Sequence, residues 1–162
     1  MSLPSFLLPF FRWSQDTWIG LAMRDSNWLF PAVEGIHIVA LTMLLGAIAL
    51  LDLRLYGVTM RNKPISVLAR ELAPWTLYSL IVILTTGAML FSSEAVKVFA
   101  SGPFQLKMVL LFSAMFLQYT IYRKLTKTDE ALVSPRWGKL AATLSLILWF
   151  GIGWAGRFIA FL

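Results

Sequence analysis

The sequence predicts an all-α integral membrane protein, a four-helix transmembrane bundle preceded by an N-terminal interfacial amphipathic segment. Three observations carry that prediction. Four separate stretches, 28–51, 73–91, 103–122 and 140–162, are apolar over enough residues to cross about 30 Å of hydrocarbon. Hydrophobic residues make up 59% of the chain and charged residues only 14%, a balance foreign to an ordinary soluble domain of this length. Most of the charges, moreover, fall between the apolar stretches. Inside a bilayer no water can satisfy the backbone, so each stretch reads as a helix, and the alternating pattern of a transmembrane β-barrel is absent.

Taken in chain order, residues 1–27 do not resemble a cleaved signal peptide. They lack a positive leading region, and Pro9 interrupts the apolar run from Phe6 to Phe11. Trp13 and Trp18 alternate with Arg12, Asp16 and Arg24, which suits a segment lying in the headgroup zone. The transmembrane domain is expected over 28–162. After its first span comes a basic loop in which Pro64 is expected to start a short surface helix through Val67, Leu68 and Leu72, ending near Pro74. The second and third spans are joined by a short turn, the third and fourth by another basic loop. Such short connections imply antiparallel neighbours. Trp28, Trp75 and Trp137, near the starts of three spans, read as interface anchors.

The net charge of +6 is distributed in a way that gives it a purpose. Arg54, Arg61, Lys63 and Arg70 occupy the first basic loop, and Arg123, Lys124, Lys127, Arg136 and Lys139 the second; the other side carries Arg12, Arg24 and Lys97. The positive-inside rule then puts both basic loops in the cytoplasm and both termini on the outer side. Topology and attraction to anionic lipid account for the charge, and nucleic acid is not expected as a partner. With no cysteine, disulfides, thiolate metal sites and thiol nucleophiles are excluded.

Ionisable side chains within the spans are costly unless they pair, snorkel or line a cavity, so they mark candidate sites. Four are counted: Glu34, His37, Lys107 and Arg157, all at similar depth toward the outer face. Helical periodicity aligns Glu34 and His37 with Leu41, Leu44 and Ile48, and Lys107 with Leu111, Ala114, Gln118 and Tyr122. It also aligns Ser79 with Thr86, and Thr143 with Phe150, Trp154 and Arg157. Each span thus has one mildly polar stripe that is expected to turn inward.

Three readings stay open. In the first, Glu34 pairs with Lys107 or Arg157 and the network only sets helix register, as in a non-catalytic structural or assembly subunit of a larger complex. In the second, His37 is the metal ligand of a haem b, with Lys107 and Arg157 facing the propionates and Phe30, Leu41, Phe104, Phe150 and Trp154 as walls. The second axial position would then hold Met89, Met108, Lys107, His37 of another copy in a homo-oligomer, a water, or nothing. The third group comprises quinone binding, proton transfer and copper. Glu34 and His37 have the spacing of half a di-iron site, but no second half exists. Gly151, Gly153 and Gly156 suit close helix packing.

The motifs Glu34-Gly-Ile-His37, Leu44-Leu-Gly46, Asp52-Leu-Arg-Leu-Tyr-Gly57, Thr86-Gly87, Phe104-Gln-Leu-Lys107 and Trp154-Ala-Gly-Arg157 resemble an uncharacterised family of small bacterial four-helix membrane proteins. More distantly, a first-span histidine and a third-span lysine after an aromatic residue resemble the HemJ-type protoporphyrinogen oxidases and CopD-like copper-resistance membrane domains. The resemblance implies a bacterial inner membrane location, His37 as haem ligand and Lys107 as the lysine the oxidases require. It also implies electron transfer or redox chemistry on a porphyrin or quinone.

Overall fold

A computed structural model describes residues 8–127 and 134–159. The described chain is helical: α1 (Leu8–Asp16), α2 (Trp18–Asp25), α3 (Leu29–Tyr56), α4 (Ile65–Ser93), α5 (Ala95–Ala100), α6 (Gly102–Lys127) and α7 (Pro135–Ile159). Four of them, α3, α4, α6 and α7, are long and apolar enough to cross a membrane. They pack as a square in which α3 lies against α4 and α7, and α6 against α7 and α4. Two apolar clusters fill the square. One, around Leu51, Leu55, Leu68, Ile121, Leu125 and Ala142, lies toward the basic-loop end; the other, around Leu44, Ile48, Ile83, Ala114, Trp149 and Ile152, lies in the middle.

The four-helix class expected from the apolar stretches is observed, with differences at the helix ends. The first span runs on to Tyr56 and closes on Gly57, whose left-handed φ of 79° lets its N–H return to the last-turn carbonyls. The expected surface helix at Pro64 and the second span are one helix, α4, with Pro74 inside it. Proline removes one backbone donor there, leaving a carbonyl one turn earlier without its helical partner. Burial of Ile65, Leu68 and Ala69 against Leu51, Leu55 and Leu125 nevertheless keeps the first turns of α4 in line with the bundle.

The opposite end is roofed by α1, α2 and α5. Phe11 of α1 is buried against Phe99 of α5 and Phe91 of α4, with ring centroids 4.2 and 5.9 Å away, and Phe91 stacks on Phe104 of α6 at 5.2 Å. Thr17 caps α2 by accepting from Gly20 N–H. Met23 is buried, while Trp13, Trp18, Trp28 and Trp75 stand exposed; Trp137 is half-buried, with Lys124 Nζ 3.8 Å from its ring centroid.

Candidate functional site

His37 lies just over two turns into α3, at the roofed end of the bundle. Its Nδ1 is 2.8 Å from Thr86 Oγ1 on α4. The single hydroxyl hydrogen of Thr86 is directed to the Val82 carbonyl, 2.6 Å away on the same helix, so Thr86 Oγ1 accepts from His37 Nδ1–H. That hydrogen-bond count selects the tautomer and leaves the lone pair on Nε2, and the Ile83 carbonyl of α4 also lies close to the ring. Gly87 makes the arrangement possible, because a Cβ there would come within 3.3 Å of His37 Cε1.

Lys107 approaches from α6. Its Nζ rests on Gly156 of α7, where a Cβ would lie 3.4 Å away, and its charge is close enough to act on the His37 ring. Gly151 likewise lets Leu110 of α6 approach α7, whereas Gly153 faces open space. Glu34, half-buried one turn before His37, makes no ion pair with Lys107 among the described residues; the ion pairs there, Lys63–Glu71 and Glu94–Lys97, lie elsewhere.

The expected stripe on the fourth span is corrected. Phe150, Trp154 and Arg157 are exposed, and α7 instead buries Gly138, Ala141, Ala142, Ser145, Trp149, Ile152 and Ala155. Small side chains allow α7 to sit close to its neighbours, so they occupy the inner face and most of the large aromatics are left to the apolar surroundings. Phe150, Trp154 and Arg157 border an open groove of about 450 Å³ between α3 and α7, and a second groove of about 640 Å³ runs between α3 and α4 past Trp75 and Tyr78. Neither is lined by His37. Of the expected haem walls, Leu41 and Phe104 are half-buried, whereas Phe30, Phe150 and Trp154 are exposed. The structure thus turns His37 and Lys107 into the bundle, with the Lys107 charge reaching the His37 ring, and leaves Arg157 on the outer surface.

A second polar centre was not anticipated. Asp52, near the other end of α3 and about 22 Å along the helix from His37, is fully buried at 0% exposure. Ser145 of α7 adjoins its carboxyl, and Tyr122 of α6 lies within reach of its charge. Among the described residues, both Asp52 oxygens, both amide atoms of Gln118 and Ser145 Oγ make no hydrogen bond of normal geometry, although Ser145 lies beside the Asp52 carboxyl and Tyr122 beside the Gln118 amide. A first span ending at residue 51, as expected from apolar length, leaves Asp52 in the loop. Gly57 as a helix terminator, with Leu51 and Leu55 continuing the stripe of Leu44 and Ile48, is the signal that could have placed it inside.

Among the described residues no three His, Cys, Asp or Glu side chains converge, so His37 is the nitrogen donor on which any metal reading depends. No curated protein and no solved structure matches the chain. A family of unknown function, DUF6644, matches residues 10–162. Covering all four spans, that match makes the chain a member of the family of unknown function DUF6644.

Proposed function

We propose that this multi-pass membrane protein binds haem b through His37 and serves electron transfer or redox chemistry on a porphyrin or quinone. The observation that supports the reading is the hydrogen bond from His37 Nδ1–H to Thr86 Oγ1. A ligating imidazole is held in orientation by an acceptor on its other nitrogen, and this one leaves Nε2 as the donor. Lys107, whose charge reaches the ring, would supply a positive charge of the kind that faces propionates. The donor set therefore fits the group; the walls fit in part, since Phe150 and Trp154 face outward.

When bound, the haem would supply one-electron chemistry, and the chain's own residues would orient, insulate and balance charge. Thr86 and Gly87 set the ring, Lys107 faces the anionic edge, and the Phe11, Phe91, Phe99 and Phe104 cluster keeps water from that end. In this reading the protein sits in the inner membrane of a bacterium. The nine basic residues of the two loops lie in the cytoplasm and the His37 end lies at the outer face.

The test is an absorption spectrum of protein purified in mild detergent from a haem-replete host. A Soret band, sharpened visible bands on reduction, and loss of both in a folded His37→Ala variant are expected. Colourless wild-type protein after haem supplementation, or haem retained by His37→Ala, overturns the ligand assignment and favours a non-catalytic assembly subunit.

A further inference from the structure

The Asp52 centre is assigned no role by the His37 reading and is independent of it. Asp52, Gln118 and Ser145 come from three helices, α3, α6 and α7, and all are at least nine-tenths buried. They sit between the two apolar clusters, bordered by Leu51 and Ile121 on one side and Ile48 and Trp149 on the other. The ion pairs seen among the described residues, Lys63–Glu71 and Glu94–Lys97, lie away from Asp52. The titratable groups that face it are phenols: Tyr122 of α6, bonded to Thr76 of α4 at 3.0 Å, and Tyr56 of α3, bonded to Thr143 of α7. Arg54, on the same helix, is turned to the Lys63 carbonyl.

An ionised carboxylate accepts hydrogen bonds and donates none, so it would satisfy only the donor side of the Gln118 amide. A carboxylic acid donates through its O–H and accepts through its carbonyl, matching a primary amide atom for atom. Four of the partnerless atoms, the two oxygens of Asp52 and the oxygen and nitrogen of Gln118, are that complement. Ser145 Oγ adds a further hydroxyl beside the carboxyl.

We propose that Asp52, Gln118 and Ser145 form a proton-binding centre, with the acid of Asp52 facing the Gln118 amide, and that its proton exchanges with water at the basic-loop end. The proton arrives from hydronium, leaving water, and binds a carboxylate oxygen; release is the reverse, so no other reactant takes part. The hydroxyl pairs Tyr122–Thr76 and Tyr56–Thr143, all four residues half-buried, flank the apolar cluster that separates Asp52 from that end and supply the polar steps past it.

Infrared spectroscopy of the full-length protein in lipid bilayers tests this. At neutral pH the wild type is expected to show a protonated-acid carbonyl band that shifts in D2O, is lost in Asp52→Asn and moves in Gln118→Met. Exchange into D2O should slow in the Tyr56→Phe/Tyr122→Phe variant. Should Asp52→Asn not fold, Asp52→Glu must move the band. Absence of an acid band, a band indifferent to both Asp52 substitutions, or one appearing only when sodium is replaced by choline overturns the proposal, the last in favour of a cation site. A band that never shifts in D2O overturns the exchange with water.

Discussion

His37 and Asp52 stand on the same helix, and the bundle treats them in opposite ways. His37 is half-buried, its Nδ1–H is satisfied by Thr86, and the groups around it come from α4 and α6 beneath a roof of short helices. Asp52 is wholly buried among α3, α6 and α7, and neither of its oxygens has a hydrogen-bond partner. A satisfied group with one open lone pair is arranged to offer that lone pair. A sealed carboxyl without a cation is costly to leave unsatisfied, because a buried polar atom without a partner costs about 1–3 kcal/mol, and a bound proton of the kind proposed lowers that cost. The two ends are therefore suited to different chemistry, and stability measurements can separate them.

The roof offers the largest expected effect. Phe11→Ala removes a buried ring and should weaken docking of α1 by about 3–5 kcal/mol, read as faster amide exchange in α1 and α5. The same variant should raise modification of His37 by diethylpyrocarbonate and leave the Asp52 acid band unmoved. Equal disturbance of both sites would mean that they are one coupled unit.

Gly87→Leu comes next, expected to cost about 1–3 kcal/mol by overpacking, because even its Cβ would press on His37 Cε1 at 3.3 Å. Thermal unfolding in detergent measures the loss, and, on the haem reading proposed above, the absorption bands should weaken with it. Thr86→Val should cost about 1–3 kcal/mol by leaving the His37 N–H unanswered. His37→Leu should cost less, since the Thr86 hydroxyl keeps the Val82 carbonyl, and the double variant should recover part of the Thr86→Val loss. At the other end Asp52→Asn should change stability by less than about 1 kcal/mol, because asparagine pairs with an amide much as a neutral acid does. A loss of several kcal/mol would instead show a charge that the fold depends on. The smallest effect belongs to Trp154→Ala, within about 0.5 kcal/mol, since that ring is exposed.

Much of the His37 end was legible beforehand. A lone imidazole in an apolar span stands out by cost alone, and helical period placed Thr86 and Lys107 on stripes that turn toward it. The stripe of α7 misled, because periodicity gives which residues share a face but not which face turns inward. Phe150, Trp154 and Arg157 do share a face, and it is the outer one. Asp52 escaped notice for a different reason: a carboxylate after Leu51 reads as the end of a span until Gly57 is recognised as its terminator.

The sequence by itself determined that four helices cross a membrane, which end of the bundle carries the basic loops, and where the one histidine lies. Those features follow from local quantities, apolar length, charge position and residue identity, and need no partner to express them. Only the tertiary structure decided that Thr86 orients His37, that Gly87 admits it, that α4 continues through Pro74, and that Asp52, Gln118 and Ser145 are all buried, with Ser145 beside the Asp52 carboxyl. The physical reason is that helix rotation is settled by packing summed over a whole face. In α7 the small residues Ala141, Ala142, Ser145 and Ala155 fit against neighbouring helices, and their choice of face carried Trp154 and Arg157 outward.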